Sequence, residues 1–172
     1  EMVAANFPAV TLIENDVNMG FSVACNQGGR VYQSRYVVLL NNDATLRLGA
    51  LRALVELGDA RPKLGAATGR LMSPAGKERY PASQFWQRWT TPSPTVHELS
   101  WVPGTATLLR REALDAVGWL DEAFFFYNED LDLSLRLRKG GWGLWYCPAA
   151  VIDHHEGGSS HLIRTRATIE GY

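Results

Sequence analysis

The chain has 172 residues, 46% of them hydrophobic and 20% charged, with a formal net charge of -1. That length suits one domain with a real core, and the composition excludes a disordered chain. The near-neutral charge excludes a broad electrostatic grip on nucleic acid, and no apolar run approaches the roughly 20 residues that span a bilayer.

No basic segment followed by an apolar core opens the chain, so no signal peptide is visible. The start at Glu1 rather than Met fits a processed chain, an excised domain or a fragment. Cys25 and Cys147 form no CxxC pair and are expected as buried thiols in a reducing compartment.

In chain order, Ala9 to Glu14 is apolar and β-branched and predicts a strand. Asn18 to Gly20 predicts a turn, with Ser22 as the cap of a short helix ending at Gly28-Gly29. Tyr36-Val37-Val38-Leu39-Leu40 reads as a strand buried on both faces, stopping at Asn41-Asn42-Asp43. Leu48 to Ala60 has helical spacing, and Gly65 to Met72 predicts the next strand. Ser73 to Gly76 is a turn, and Pro81 to Pro94 a long surface excursion. Trp101 to Arg110 resumes strand character, broken at Pro103-Gly104, before a helix over Arg111 to Val117.

Leucines at 131, 133, 135 and 137 alternate as in a strand. Yet acids crowd the start of Asn128 to Lys139, bases crowd its end and two glycines follow, which predicts a helix. Two short strands around Pro148, Gly143 to Tyr146 and Ala149 to Ile152, complete the list. Alternating strands and helices indicate an α/β sheet, whose ligands bind beyond the carboxyl ends of the strands.

Four segments carry candidate chemistry. Asn41-Asn42-Asp43 delivers a carboxylate and two amides to the sheet edge, which suits a divalent cation sharing diphosphate oxygens; an Asx turn needs no metal and explains the triplet better when it is taken alone. Glu129, Asp130 and Asp132 follow four aromatics, and a carboxylate desolvated by rings suits a general base, although acids at a helix start also complement its dipole. Asp153-His154-His155-Glu156 offers imidazole ligands or simply a polar turn. Asn18 to Gly28, rich in small residues, allows backbone to approach a nucleotide or a helix to pack closely.

Taken in order, these segments resemble the family 2 glycosyltransferases with a GT-A fold, especially the rhamnosyltransferase-like branch. The matching residues are Asn18-x-Gly20-Phe21 with Ala24-x-Asn26-x-Gly28, Leu39 to Asp43, Gly69-Arg70-Leu71 and Val102-Pro103-Gly104-Thr105-Ala106 with Leu108 to Arg111. After them come Phe126-x-x-Glu129-Asp130-x-Asp132-Leu133-x-x-Arg136 and His154-x-x-Gly157-x-Ser159, with His155-x-x-Gly158-x-Ser160 as a competing register.

The resemblance implies a single glycosyltransferase domain over residues 1–172, with a mixed α/β sheet flanked by helices. It implies inverting transfer of a sugar from a nucleotide-diphosphate donor to a hydroxyl on a carbohydrate or lipid-linked acceptor, in polysaccharide or glycolipid synthesis. Asp130 would be the catalytic base, with Glu129 positioning the acceptor or the base. Asp43, Asn41 and His154 or His155 would hold Mg²⁺ or Mn²⁺, and Asn18, Gly20, Asn26 and Asn42 would lie near the nucleotide. Trp86, Trp89 and Trp101 would shape the acceptor pocket.

The resemblance also implies a cytoplasmic protein at the inner face of the membrane, with peripheral membrane association and dimer formation as open partner modes. The family's N-terminal βαβ unit for the base and ribose has no match, so the sequence reads as N-terminally truncated, its metal- and acceptor-binding portion alone. A non-catalytic carbohydrate- or partner-binding module, and a metal-dependent hydrolase using Asp43 and His154, are the rival readings.

Overall fold

The computed structural model describes residues 2–79 and 93–155. Its elements are α1 (Met2–Asn6), α2 (Phe21–Arg30), β1 (Tyr36–Leu40), β2 (Ala44–Leu46), α3 (Ala50–Asp59), β3 (Leu64–Met72), β4 (Glu78–Arg79), β5 (His97–Glu98), β6 (Ala106–Arg110), α4 (Arg111–Val117), α5 (Glu129–Lys139) and β7 (Gly143–His154). One mixed sheet runs β1-β6-β3-β7-β2, with β4 beside β3 and β5 beside β7. β6 is antiparallel to both its neighbours, while β3 and β7 are parallel. Among the described residues no helix is long and apolar enough to cross a membrane.

Both faces of this sheet are covered. On one, Leu133 and Leu137 of α5 and Leu114 of α4 pack on Ala66, Leu109, Leu144 and Tyr146. On the other, Leu54 and Leu57 of α3 pack on Leu64, Ala67 and Leu108. Consecutive residues Leu108 and Leu109 therefore serve opposite cores, as in a strand covered on both faces. The same α5 packing resolves the alternating leucines: Leu133 and Leu137 are buried one turn apart, while Leu135 is exposed.

Several expectations need correction. The run Ala9 to Glu14 is not a strand, and Val10, Leu12 and Ile13 are exposed. β-propensity marks a segment able to pair, but pairing needs a partner. Among the described residues none lies beside this run, and side chains tie its neighbourhood to α2 and the bend after it instead, through a reciprocal Asn15–Gln27 amide pair and Thr11–Tyr32 at 2.6 Å. Ser22 is not a cap: the helix begins one residue earlier after Gly20, and Ser22 is fully buried inside it. Gly20 is left-handed (φ +88°), and a Cβ there would lie 2.7 Å from both the Phe125 ring and its carbonyl oxygen.

Lastly, the two strands around Pro148 are one strand, β7. Pairing with β3 passes from Gly69↔Cys147 to Arg70↔Val151, so residues 148–150 bulge out. Proline donates no ladder hydrogen bond, and a bulge accommodates it without ending the strand. The bulge presses on β3, where a Cβ on Gly69 would sit 2.1 Å from the Ala150 carbonyl oxygen. Backbone cannot move aside as a flexible side chain can. Gly69→Ala is expected to cost about 3 kcal/mol in urea unfolding; an unchanged midpoint would mean that the β3–β7 contact is loose. The strand character expected from Trp101 is confined to Ala106–Arg110, with 101–105 irregular.

Candidate active site

The site lies at the carboxyl end of β1. There the chain turns through Asn41, Asn42 and Asp43, closed by the Ala44 N–H donating to the Asn41 carbonyl at 3.1 Å. β2 then pairs antiparallel with the end of β7, setting Ala44 opposite His154. The pairing brings His154 Nε2 to 3.4 Å from Asp43 Oδ1, with both side chains largely buried. The next residue, His155, has an exposed side chain and donates its backbone N–H to the Asp43 carbonyl at 2.9 Å. Asp153, preceding His154, is clasped by both sides of the Arg47 guanidinium at 2.7 and 2.8 Å. That hydrogen-bonded pair holds the Asp153 carboxyl below its ordinary value. The clasp bridges β2's end to β7, and no sequence spacing points to it.

Glu129 and Asp130 begin α5. Two consecutive left-handed residues, Tyr127 (φ +70°) and Asn128 (φ +69°), turn the chain into the helix. Such backbone is uncommon outside glycine and clusters at functional sites. Asp130 Oδ2 accepts the Gly104 N–H at 2.9 Å and Oδ1 the Leu131 N–H at 2.7 Å. Burial raises its pKa; the Gly104 and Leu131 amides oppose this, and the nearby Trp101 indole, out of hydrogen-bond geometry, pulls the same way as the amides. Burial pushes Glu129 further, up to about 7, helped by the Asp130 charge.

These two poles are joined by two consecutive residues. Gly104 donates to Asp130, and the Thr105 carbonyl accepts the Asn41 N–H at 2.8 Å. Gly104 lies against both acids: a Cβ there would sit 3.7 Å from each of Asp130, Glu129 and Phe21, in ordinary van der Waals contact. The sequence marks Val102 to Ala106 as a motif, but nothing in it reveals this bridge.

Among the described residues, six buried side-chain nitrogen or oxygen atoms lack a hydrogen-bond partner, and four belong to these poles: Asn41 Oδ1, Asp43 Oδ1, Trp101 Nε1 and Glu129 Oε2. Native interiors leave few polar atoms orphaned, so their concentration here marks a site. Asn41 and Asp43 oxygens with the His154 imidazole form a donor set that suits Mg²⁺ or Mn²⁺. Among the described residues no three His, Cys, Asp or Glu side chains converge as a metal cage. A cation there would complete its shell from phosphate oxygens and water.

The remaining expected residues take no part in these contacts. Asn42 is exposed on the turn, and Asn18 is exposed, its Oδ1 accepting the Gly20 N–H at 3.0 Å. Asn26, expected near the nucleotide, is 1% exposed and its amide is consumed inside the protein. It donates to the Leu120 carbonyl and Glu122 and accepts the Leu120 N–H. Asp132 and Arg136, part of the same motif as Glu129, form an ion pair at 2.6 Å, and Arg136 also donates to the carbonyls of Val117, Gly118 and Trp119. They secure the loop between α4 and α5. Trp86, Trp89, Gly157, Gly158, Ser159 and Ser160 lie outside the described residues.

A family model described as glycosyltransferase like family 2 matches residues 1–169. The chain belongs to this family. Among curated proteins, this family 2 chain is 29% identical to N-acetylglucosaminyl-diphospho-decaprenol L-rhamnosyltransferase of Mycobacterium tuberculosis, over 90% of the chain and 61% of that protein. It is 30% identical to the pre-mycofactocin glycosyltransferase of the same species, over 84% of the chain and 32% of that protein. The chain thus spans less than two thirds of the length of the first relative and about a third of the second.

Among solved structures it superposes on a mannosyltransferase from Pyrobaculum calidifontis in complex with GDP-Man and Mn²⁺, with TM-score 0.66, 16% identity, and 97% of this chain and 46% of that chain covered. Against GalNAc-T7 with UDP, GalNAc and Mn²⁺ the TM-score is 0.63 with 13% identity, covering 82% and 31%. These likenesses establish the GT-A fold expected from the sequence.

Proposed function

We propose that the chain supplies the metal and acceptor side of an inverting glycosyltransferase site, moving a sugar from a nucleotide-diphosphate donor to a hydroxyl. The observation that carries this reading is the bridge Gly104-Thr105, which ties the Asn41–Asp43 turn to Asp130 within one small region. Family membership and the names of the curated relatives support it.

Asp130 takes the proton of the acceptor hydroxyl. The freed electron pair forms the bond to the anomeric carbon while the bond from that carbon to the diphosphate oxygen breaks. Asp130 suits the task because its two backbone donors orient the carboxylate and burial raises its basicity. Asp43, His154 and Asn41 would hold the cation, which when bound neutralises charge on the departing diphosphate. Arg47 and Asp153 keep β2 against β7 and so keep Asp43 beside His154.

The rhamnosyltransferase relative is named for an acceptor on a polyprenyl diphosphate. We propose a sugar on such a lipid as the acceptor class, and with it a reaction at the cytoplasmic face of a membrane.

The test is an assay of the intact protein with nucleotide-sugar donors, Mn²⁺ and a polyprenyl-diphosphate sugar. Metal-dependent, acceptor-dependent transfer with inversion at the anomeric carbon is the expected result. Release of free sugar without acceptor would mean a hydrolase, and tight binding of sugar without turnover a binding module.

A further inference from the structure

Glu129 and Asp130 are neighbours at the start of α5, yet their carboxyls meet opposite surroundings. Asp130 receives a backbone N–H on each oxygen, and a group served only by donors is matched to an ionised carboxylate. Glu129 is 6% exposed and its Oε2 has no hydrogen-bond partner. A cavity of about 10 Å³, room for roughly one water, lies beside both carboxyls, bounded by Phe21, Leu39, Gly104, Leu120 and Leu133.

Among the described residues no cation offsets a charge on Glu129, and it forms no ion pair with Lys, Arg or His. The titratable groups facing it are Asp130 on its own helix and Cys25 on α2. The covering segment 102–104 is Val-Pro-Gly and adds none. An uncompensated buried charge is costly, and a carboxyl escapes that cost by keeping its proton.

We infer that in mildly acidic solution the Glu129–Asp130 pair carries a single negative charge, held on Asp130, with Glu129 buried beside it as the neutral acid. This deepens the reading of Asp130 as the base and rests on it. Glu129 is then a positioning residue that acts through Asp130: it fills the space under Gly104 without adding a second charge that would compete for the acceptor's proton. Burial places its titration at about 7.

The folded protein holds this proton up to about 7, whereas an unfolded glutamate releases it near 4.5. Stability from this group is full below 4.5 and is lost as pH rises through 7.

The test is infrared spectroscopy of the intact protein across pH. A carbonyl band of a neutral carboxyl is expected at pH 6, fading with a midpoint near 7. Carbon-13 in glutamate carboxyls should shift it, and carbon-13 in aspartate carboxyls should not; the labels need no variant. In Glu129→Gln the band is expected to vanish, and the loss of unfolding midpoint between pH 4.5 and 7 to shrink. Absence of the band at pH 6, a band that follows the aspartate label, or one that survives Glu129→Gln would overturn the inference. The band reports protonation rather than turnover, so it fails or holds independently of the base assignment.

Discussion

Asp130→Asn is expected to lower transfer by about 10²–10⁴-fold, the range supplied by a positioned general base. Asparagine has nearly the shape of aspartate, and its remaining oxygen can still accept the Gly104 N–H. What it cannot do is take the acceptor's proton. Its amide NH₂ also meets the Leu131 N–H that now donates to Oδ1, a local cost of about 1 kcal/mol that leaves the fold standing. The loss should therefore fall on kcat, with the donor KM little changed. A rate near wild type would mean that another group removes the proton.

The second large effect is expected at the other pole. Asp43→Ala removes the orphaned Oδ1 and leaves His154 without its neighbour 3.4 Å away. The backbone bond from His155 to the Asp43 carbonyl does not depend on the side chain, so the β2–β7 pairing should survive. Transfer is expected to fall by about 10²–10³-fold, as when one electrostatic contact to developing charge is lost. Unaltered initial rates at limiting Mn²⁺ would place the cation elsewhere.

Much of this site was legible in the sequence because its parts obey local rules. The run Tyr36 to Leu40 stops abruptly at a polar triplet, and the charge gradient from Glu129 to Lys139 outweighs the alternating leucines. Those signals depend on neighbours a few positions apart, and the structure has the strand and the helix where they point.

Signals that failed depended on partners far along the chain. Ala9 to Glu14 has the composition of a strand, but only a neighbouring strand could have made it one. Asn26 lies in a segment of small residues that suits a nucleotide, yet it is spent on Leu120, 94 positions away. The Arg47–Asp153 clasp spans 106 positions, and the link from Asn41 through Thr105 and Gly104 to Asp130 is made of backbone groups with no side-chain signature. Of the two histidines, strand alternation alone could not say which faced Asp43, because the register of β2 on β7 decides it. In that register His154 is the neighbour.

The claim that one site has a metal pole and a separate base pole is tested most directly by Mn²⁺ titration with a nucleoside diphosphate present, comparing wild type, Asp130→Asn and Asp43→Ala. The account predicts wild-type affinity in Asp130→Asn and at least a roughly tenfold loss in Asp43→Ala. Equal binding by all three proteins, or a matching loss in both variants, would contradict it.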